Sequence, residues 1–566
     1  MRRFIVTAVL AFVILAMLAP PGFAQAPAPK VTITGLFDQV TSMGRNTYDG
    51  NLTRNSDHEW YARTRFRPDF EFAVGRVKAV LGLEIDLQYG QAGPNDGGFP
   101  GNTSGSTCGQ AAGPGGSTPP GGKVNTNGCL DLNTDVGGMI EIKWIYTEFP
   151  LTGKDSLLPF IPVETMARAG GQPFDTLAQY KLAQYANGDF AGVSAITTWA
   201  PNIKTNLAWV MLEDQLAGSN RLVGAAKLTR GEDTALIFSP EITPFKGLDL
   251  KPLYSWFHAD GLTSGTARRN LTNRGTVSGT LNGAGARGPA APGDPTNHED
   301  RHTLGIDGRL RLGPFGLDPT FYYQWGRVDS QAFGPSGAAR RVTADMDAFL
   351  FDVIGSFQLG PLLLEARGMY STGNKARNNL SGGIHYYQPL DTDGNYYAGG
   401  WTQMFASGVD YFNQGWATTG NYVGYDRYGR AQVTGRATYS ITPALSVYGL
   451  AGPIFTAQKV DTDTGSQLAS AAGVGTPART TVSAASWVKG DTNYLGTEAN
   501  LGLTWRFSPN TAFDLVGGWL FAHWGRSGFD AAECVGGAAT TCAGGTVVKK
   551  EAQDAYTLAA RIRLAF

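Results

Sequence analysis

The chain is poor in the residues that redox and metal chemistry draw on. Its 566 residues hold four cysteines and six histidines, too few and too scattered for a dedicated metal array. No Cys-x-x-Cys-His occurs, which excludes covalently attached haem. Beyond the N-terminus no stretch approaches the roughly 18 consecutive apolar residues that a membrane-crossing helix needs. Charge is scarce and balanced, 46 basic residues against 47 acidic, so no basic excess marks a nucleic-acid footprint. What the chain has in quantity is glycine, 76 residues, and aromatics: 12 Trp, 22 Tyr and 29 Phe. Many strands joined by turns need that mixture.

The N-terminus reads as an export signal. Met1-Arg2-Arg3 is followed by an apolar run from Phe4 to Leu18, and Pro20, Pro21 and Gly22 break it. Gly22-Phe23-Ala24 offers small residues at the −3 and −1 positions of a cleavage site. The expectation is a signal peptide over 1–24, removed after Ala24, and a working chain of 25–566. Taking Arg2 and Arg3 from the 46 basic residues leaves 44 against 47 acidic, so that chain is close to neutral.

Period-two alternation runs through it. Val77, Ala79, Leu81, Leu83, Ile85, Leu87 and Tyr89 share one face, and Lys78, Glu84, Asp86 and Gln88 the other. Leu304, Ile306, Leu310 and Leu312 oppose Asp307, Arg309 and Arg311, and the C-terminus alternates from Tyr556 to Phe566 with Arg561 and Arg563 interleaved. Alternation puts each set on one face of a strand. Several segments exceed ten residues, the length of a tilted membrane strand and longer than an ordinary sandwich strand.

The connections alternate too. Short turns sit at Gly75, near Pro201, at Gly313-Pro314-Phe315-Gly316, Gly360, Thr442-Pro443 and Ser508-Pro509-Asn510. Long Gly/Ser/Thr/Asn-rich stretches lie at 91–138, 261–299, 330–344, 374–424, 458–490 and 527–550. Short periplasmic turns and long extracellular loops characterise a transmembrane barrel. The predicted fold is therefore all-β: a transmembrane antiparallel barrel with a first strand near 31–40, eight hairpins and a last strand. That count is eighteen. The segments 162–172 and 232–240 alternate least clearly, and without one hairpin the count falls to sixteen. A barrel of this size leaves an aqueous lumen.

The last strand ends on Phe566 with no tail. In this it resembles the C-terminal assembly signal of bacterial outer-membrane proteins, which implies that the barrel-assembly machinery reads it. The whole chain is similar to the porins of Gram-negative bacteria. The resemblance implies an outer-membrane location among lipids, passive passage of small hydrophilic solutes, no enzymatic activity, no cofactor, an inward-folded constriction loop and homotrimeric assembly. The chain is long for a porin and carries no substrate-specific motif. Two rival readings share the architecture: an exporter of anionic oligosaccharide, and a structural or receptor barrel, which a lumen plugged by 374–424 would favour. The first strand begins so soon after the signal that a separate plug domain has no room.

The candidate pore-lining residues are Arg63, Arg65, Arg67, Lys78, Glu84, Asp86, Arg168, Asp307, Arg309, Arg311, Glu365, Arg367, Arg430, Arg436, Arg506, Arg561 and Arg563. Rings of basic side chains would favour anions. Carboxylates interleave so often, however, that a balanced, solvated lining is the better general reading. The Arg63-Arg65-Arg67 ladder is its main exception. Residues 173–185 suit a short helix, either folded into the pore or packed on the rim. The aromatics of 374–424 read first as a self-packed loop or as interface anchors, and second as a sugar-stacking surface. His298-Glu-Asp-Arg-His302 imitates a zinc-peptidase motif, but that motif needs a helix and this segment reads as a strand.

Cys108 is expected to pair with Cys129 within one long loop, and Cys534 with Cys542 within another, as in other exported proteins. Each bridge would add about 3 kcal/mol by closing its loop. Alkylation of the unfolded, unreduced protein is accordingly expected to add no adduct to the intact mass, and alkylation after reduction to add four, one per cysteine.

Overall fold

The structure is a computed structural model that describes residues 28–46, 52–53, 58–89, 136–175, 185–214, 232–260, 287–288, 298–333, 339–375, 383–388, 390–392, 401–402, 428–460, 492–523, 526–535 and 546–566. Among these residues eighteen long strands form one antiparallel sheet. They are β1 (Lys30–Arg45), β2 (His58–Val74), β3 (Val77–Tyr89), β4 (Val136–Thr152), β5 (Glu164–Asp175), β6 (Ala186–Ala200), β7 (Ile203–Asp214), β8 (Glu232–Phe245) and β9 (Leu248–Asp260). They continue as β10 (His298–Leu312), β11 (Phe315–Phe333), β12 (Ala339–Leu359), β13 (Leu362–Ser371), β14 (Arg430–Ser440), β15 (Leu445–Val460), β16 (Thr492–Ser508), β17 (Thr511–Phe521) and β18 (Ala555–Ala565).

Each strand pairs with its neighbours in sequence, and the ring closes between first and last. Leu36 to Arg45 of β1 lie opposite Ala565 to Tyr556 of β18. Phe566 extends this seam: Gly35 N donates to its carbonyl at 2.8 Å, and its own N donates to Gly35 O at 3.0 Å. Its ring stacks on Phe66 with centroids 6.1 Å apart. Closure of the ring leaves neither β1 nor β18 as an unpaired edge strand.

Both segments with weak alternation are complete strands, β5 and β8, which fixes eighteen rather than sixteen. In β8 the inner face carries buried Ala235 and Ile237 while Leu236 and Phe238 face outward. With both faces apolar, the alternation disappears from the sequence. β8 runs on past the expected segment 232–240, and the turn into β9 falls at 246–247. Pro240 sits inside the ladder opposite Thr205, and the β8–β9 register shifts between Ile242 and Phe245.

All eight hairpin turns lie at one end, and the long connections lie at the other. The β4–β5 turn is the longest of the eight, covering 153–163. Residues 334–338 of the expected loop 330–344 separate long strands, and the flanks of that stretch belong to β11 and β12. Within the expected loop 527–550, Ala531–Val535 pairs with Thr546–Lys550 as a small separate hairpin. Residues 173–175 of the expected helix belong to β5, and 176–184 lie outside the described residues. The two expected disulfides also lie outside them, apart from the backbone of Cys534.

The outer surface is apolar and exposed, with Leu501 at 74% and Trp60 at 63%. Aromatics gather in two belts. Trp199, Phe245, Phe315, Trp505 and Phe507 lie near the turns, and Trp60, Trp256, Tyr323 and Trp519 near the other end. Phe315 and Trp325 are ten residues apart on β11. That is about 33 Å of strand, or about 25 Å of height at a tilt of ~40°, the thickness of a barrel's lipid-facing band. Among the described residues no helix is long and apolar enough to cross a membrane.

One turn shows how tightly the ring constrains backbone. Gly247 has φ +100°, and a Cβ there would stand 2.5 Å from Arg311 O. Gly355, mid-strand, has nothing within 4 Å of the same position. Gly247→Ala is expected to cost about 1–2 kcal/mol or more and Gly355→Ala a few tenths at most, measured by urea unfolding in lipid vesicles.

Candidate functional site: the inner wall of the barrel

The inner wall has two unlike sectors. The first runs through β17, β18 and β1 to β5 and is charged. Glu84 of β3 receives Arg65 at 2.9 Å, Arg67 at 2.5 Å and Lys143 of β4 at 3.6 Å. Arg63 and Arg65 are 3% and 4% exposed. Asp86 stands opposite Arg65 in register, its side chain outside the described set. Arg563 of β18 pairs with Asp38 of β1 at 2.5 Å, and Arg561 with Asp514 of β17 at 2.7 Å. Lys78 bridges Glu71 and Glu148 at 3.3 and 3.2 Å, and Arg168 of β5 reaches Glu148 at 2.5 Å.

These pairs join hydrogen-bonded neighbour strands, because inward side chains at matched register positions stand side by side. The same device continues beyond this sector. Arg367 of β13 and Asp352 of β12 form two hydrogen bonds of 2.9 and 3.1 Å, both side chains fully buried. Arg436 lies 3.9 Å from Glu365 and 4.4 Å above the Tyr448 ring. Asp307 accepts from Thr320 Oγ1 at 2.5 Å. Arg430 is buried, its backbone N donating to Ser371 Oγ at 2.9 Å. Arg309, Arg311 and Arg506 sit toward the turn end and are exposed, Arg309 at 4.0 Å from Asp249 and Arg311 against Asp318.

The second sector, β6 to β13, adds an apolar cluster to its buried charges. Phe190, Val210, Ile237, Leu253, Phe257, Tyr322, Leu350 and Met369 form one buried apolar cluster with Tyr185, Tyr387 and Leu390. The last two belong to a strap, Gly383–Gln388 with Leu390–Thr392, that crosses the interior from β12 to β6. Asn374 holds its start, donating to Gly383 O at 2.9 Å. Ile384 exchanges backbone bonds with Asp345 and Asp347, on the edge of β12 that β13 leaves open by ending at Ser371. Gln388 N donates to Gln324 Oε1 at 2.8 Å, and Gln324 Nε2 to Gln388 O at 2.6 Å. Arg301 Nη1 reaches Gln388 Oε1 at 3.3 Å. Leu390 N donates to Tyr185 O at 2.7 Å, and Asp391–Thr392 pairs in parallel with Ala186–Asn187.

The strap corrects the first reading of 374–424. Tyr386, Tyr387 and Trp401 are buried against the inner wall, neither self-packed outside nor anchored at the interface. Tyr396, Tyr397, Phe405, Tyr411, Phe412 and Trp416 lie outside the described residues. The inner faces of β6 to β9 carry aliphatic and aromatic side chains beside buried Ser194, Ser239, Lys251 and Ser255. Arg301, Gln324 and the carboxylates Asp38, Glu148 and Asp514 were not singled out from the sequence. The arginines that pair with these carboxylates were, and alternate spacing within β1, β4 and β17 was the available signal.

The segment His298–His302 is strand: Glu299 is buried inside while His302 stacks outside on Trp325 at 5.3 Å. Among the described residues no His, Cys, Asp and Glu cluster could hold a metal ion.

No protein family matches the sequence, and no curated protein matches it. Solved structures of similar shape include a BenF-like porin from Pseudomonas fluorescens, 8% identical over 95% of this chain and 98% of that one, with a TM-score of 0.46. OccAB2 of Acinetobacter baumannii is 9% identical over 95% and 98%, TM-score 0.45. OccAB1 of the same organism is 11% identical over 95% and 96%, TM-score 0.44. At such identities and scores the fold and the site rest on the strands and side chains themselves.

Glu84 is the group whose removal should disturb the charged sector most. Glu84→Gln leaves three cations without their shared carboxylate and is expected to destabilise the barrel by of order 3 kcal/mol. In a bilayer under a salt gradient its reversal potential should move toward the anion limit.

Proposed function

We propose that the chain is an outer-membrane channel that passes small hydrophilic solutes down their gradients, with a bias toward anions. One observation carries the reading: a closed ring is apolar and aromatic outside and bears a ladder of arginines on one inner sector. Arg63, Arg65 and Arg67 stand at alternate positions of β2, and Arg561 and Arg563 at alternate positions of β18, with β1 between the two strands. Their carboxylate partners satisfy the buried charges, and an entering anion competes for the same donors. The apolar belt between two aromatic girdles supports placement in a lipid bilayer. A leader at 1–24, recognition of Phe566 by assembly machinery, loop disulfides and trimeric assembly belong to the same proposal.

The strap narrows the path from the side of the apolar cluster. Size exclusion at that point and the electrostatics of the charged wall together would set which solutes pass. A specific observation also favours a second reading: with the strap packed against β6 to β12, the barrel could be a sealed structural or receptor shell. Conductance separates the two. Protein refolded into a planar bilayer should show stepwise channels and an anion-biased reversal potential. Gln324→Leu, which removes both hydrogen bonds to the Gln388 backbone, should raise the step size or its noise. Absence of steps in any salt, in the parent and in Gln324→Leu alike, would leave the sealed shell as the correct reading.

A further inference from the structure

The outer wall of β9 to β12, near the long-loop end, carries a layered arrangement that the channel does not use. Register aligns it in rows. The top row is His258, Asp300, Arg327 and Asp345, one residue from each strand. The next row is Trp256, His302, Trp325 and Asp347. Below it stand Tyr254, Leu304, Tyr323 and Phe349, and below those Pro252, Ile306, Phe321 and Phe351. Successive rows are about 7 Å apart along the strands, and four strands span about 15 Å.

The upper rows form one rigid block. Asp300 Oδ1 accepts from Trp256 Nε1 at 3.1 Å and meets His258 Nδ1 at 2.9 Å. Tyr254 OH meets His302 Nδ1 at 3.0 Å. The His302 ring stacks on Trp325 at 5.3 Å, and Trp325 on Tyr323 at 5.7 Å. Arg327 and Asp345 are exposed above them, and Leu304, Ile306, Phe321 and Phe351 are exposed below.

We propose that this terrace binds an acylated, phosphorylated saccharide of the outer leaflet, a glycolipid, rather than a simple phospholipid. The inference rests on the reading that the outer face meets lipid. Acyl chains lie on the lower apolar rows, and the aromatic block sits at the glycan–acyl boundary, where amphipathic rings are favoured. Arg327 and His258 donate to phosphoryl oxygens, while Asp300 and Asp345 accept from sugar hydroxyls and amide N–H groups. Nitrogen donor and carboxylate alternate across the row. That suits a broad headgroup with both donors and acceptors, which a single phosphodiester lacks.

The test uses the full chain in detergent, titrated with lipid A or with cardiolipin and followed by native mass spectrometry. Cardiolipin supplies phosphates and several acyl chains without sugar. Retention of lipid A over cardiolipin by about tenfold is expected, and Arg327→Gln or Asp345→Asn should each erase that preference, as loss of one charge-assisted bond would. Channel steps of Arg327→Gln in planar bilayers should match the parent, since Arg327 faces outward and does not meet the strap. Equal retention of the two lipids, or an undiminished preference in both variants, overturns the proposal. The channel reading fails separately, through absent steps in the parent.

Discussion

The structure depends on backbone hydrogen bonds that close on themselves. β1 and β18, at opposite ends of the chain, are joined along Leu36–Arg45 and Tyr556–Ala565, and Phe566 and Gly35 exchange a further pair. In hydrocarbon an unpaired N–H or C=O costs several kcal/mol, so an open sheet of this length would not persist. Once the ring is closed, each strand has one face for lipid and one for the interior. The alternation of Val77 to Tyr89 and of Tyr556 to Phe566 is the consequence.

The interior is not a uniform wet bore. Its charges are matched mostly between neighbouring strands, as in Arg563–Asp38, Arg561–Asp514, Arg168–Glu148 and Arg367–Asp352. Pairing is what allows arginine to stand on a wall where solvent access is limited. Glu84 draws Arg65, Arg67 and Lys143 to one carboxylate. Across from it the strap and the Tyr185–Tyr322–Tyr387 aromatics fill the volume that a simple pore would leave to water. Selectivity and bore would thus be set by opposite walls.

Strands, their number and the end that carries the short turns were legible because side-chain period and turn chemistry are local. β8 was nearly lost because Ala235 and Ile237 face the apolar cluster, so its inner residues look like its outer ones. The strand expected over 232–240 runs on to Phe245, Pro240 occupying a ladder position that can do without its N–H. The strap was not legible. Gln388 meets Gln324 and Arg301, and Ile384 the open edge of β12, through contacts between distant parts of the chain that leave no periodic trace. The arginines were legible as inward residues, while the carboxylates that neutralise them became clear only through register.

Spin labels placed one at a time along β10 and β11, in protein reconstituted in lipid vesicles, address the central claim most directly. Collision with dissolved oxygen and with a water-soluble nickel chelate would be compared at each position. The account requires high oxygen and low nickel contact at Leu304, Ile306, Phe321 and Tyr323, falling and rising with a period of two along each strand. Nickel contact at those four positions equal to that of the loops, or a profile without that period, would contradict a lipid-facing closed ring.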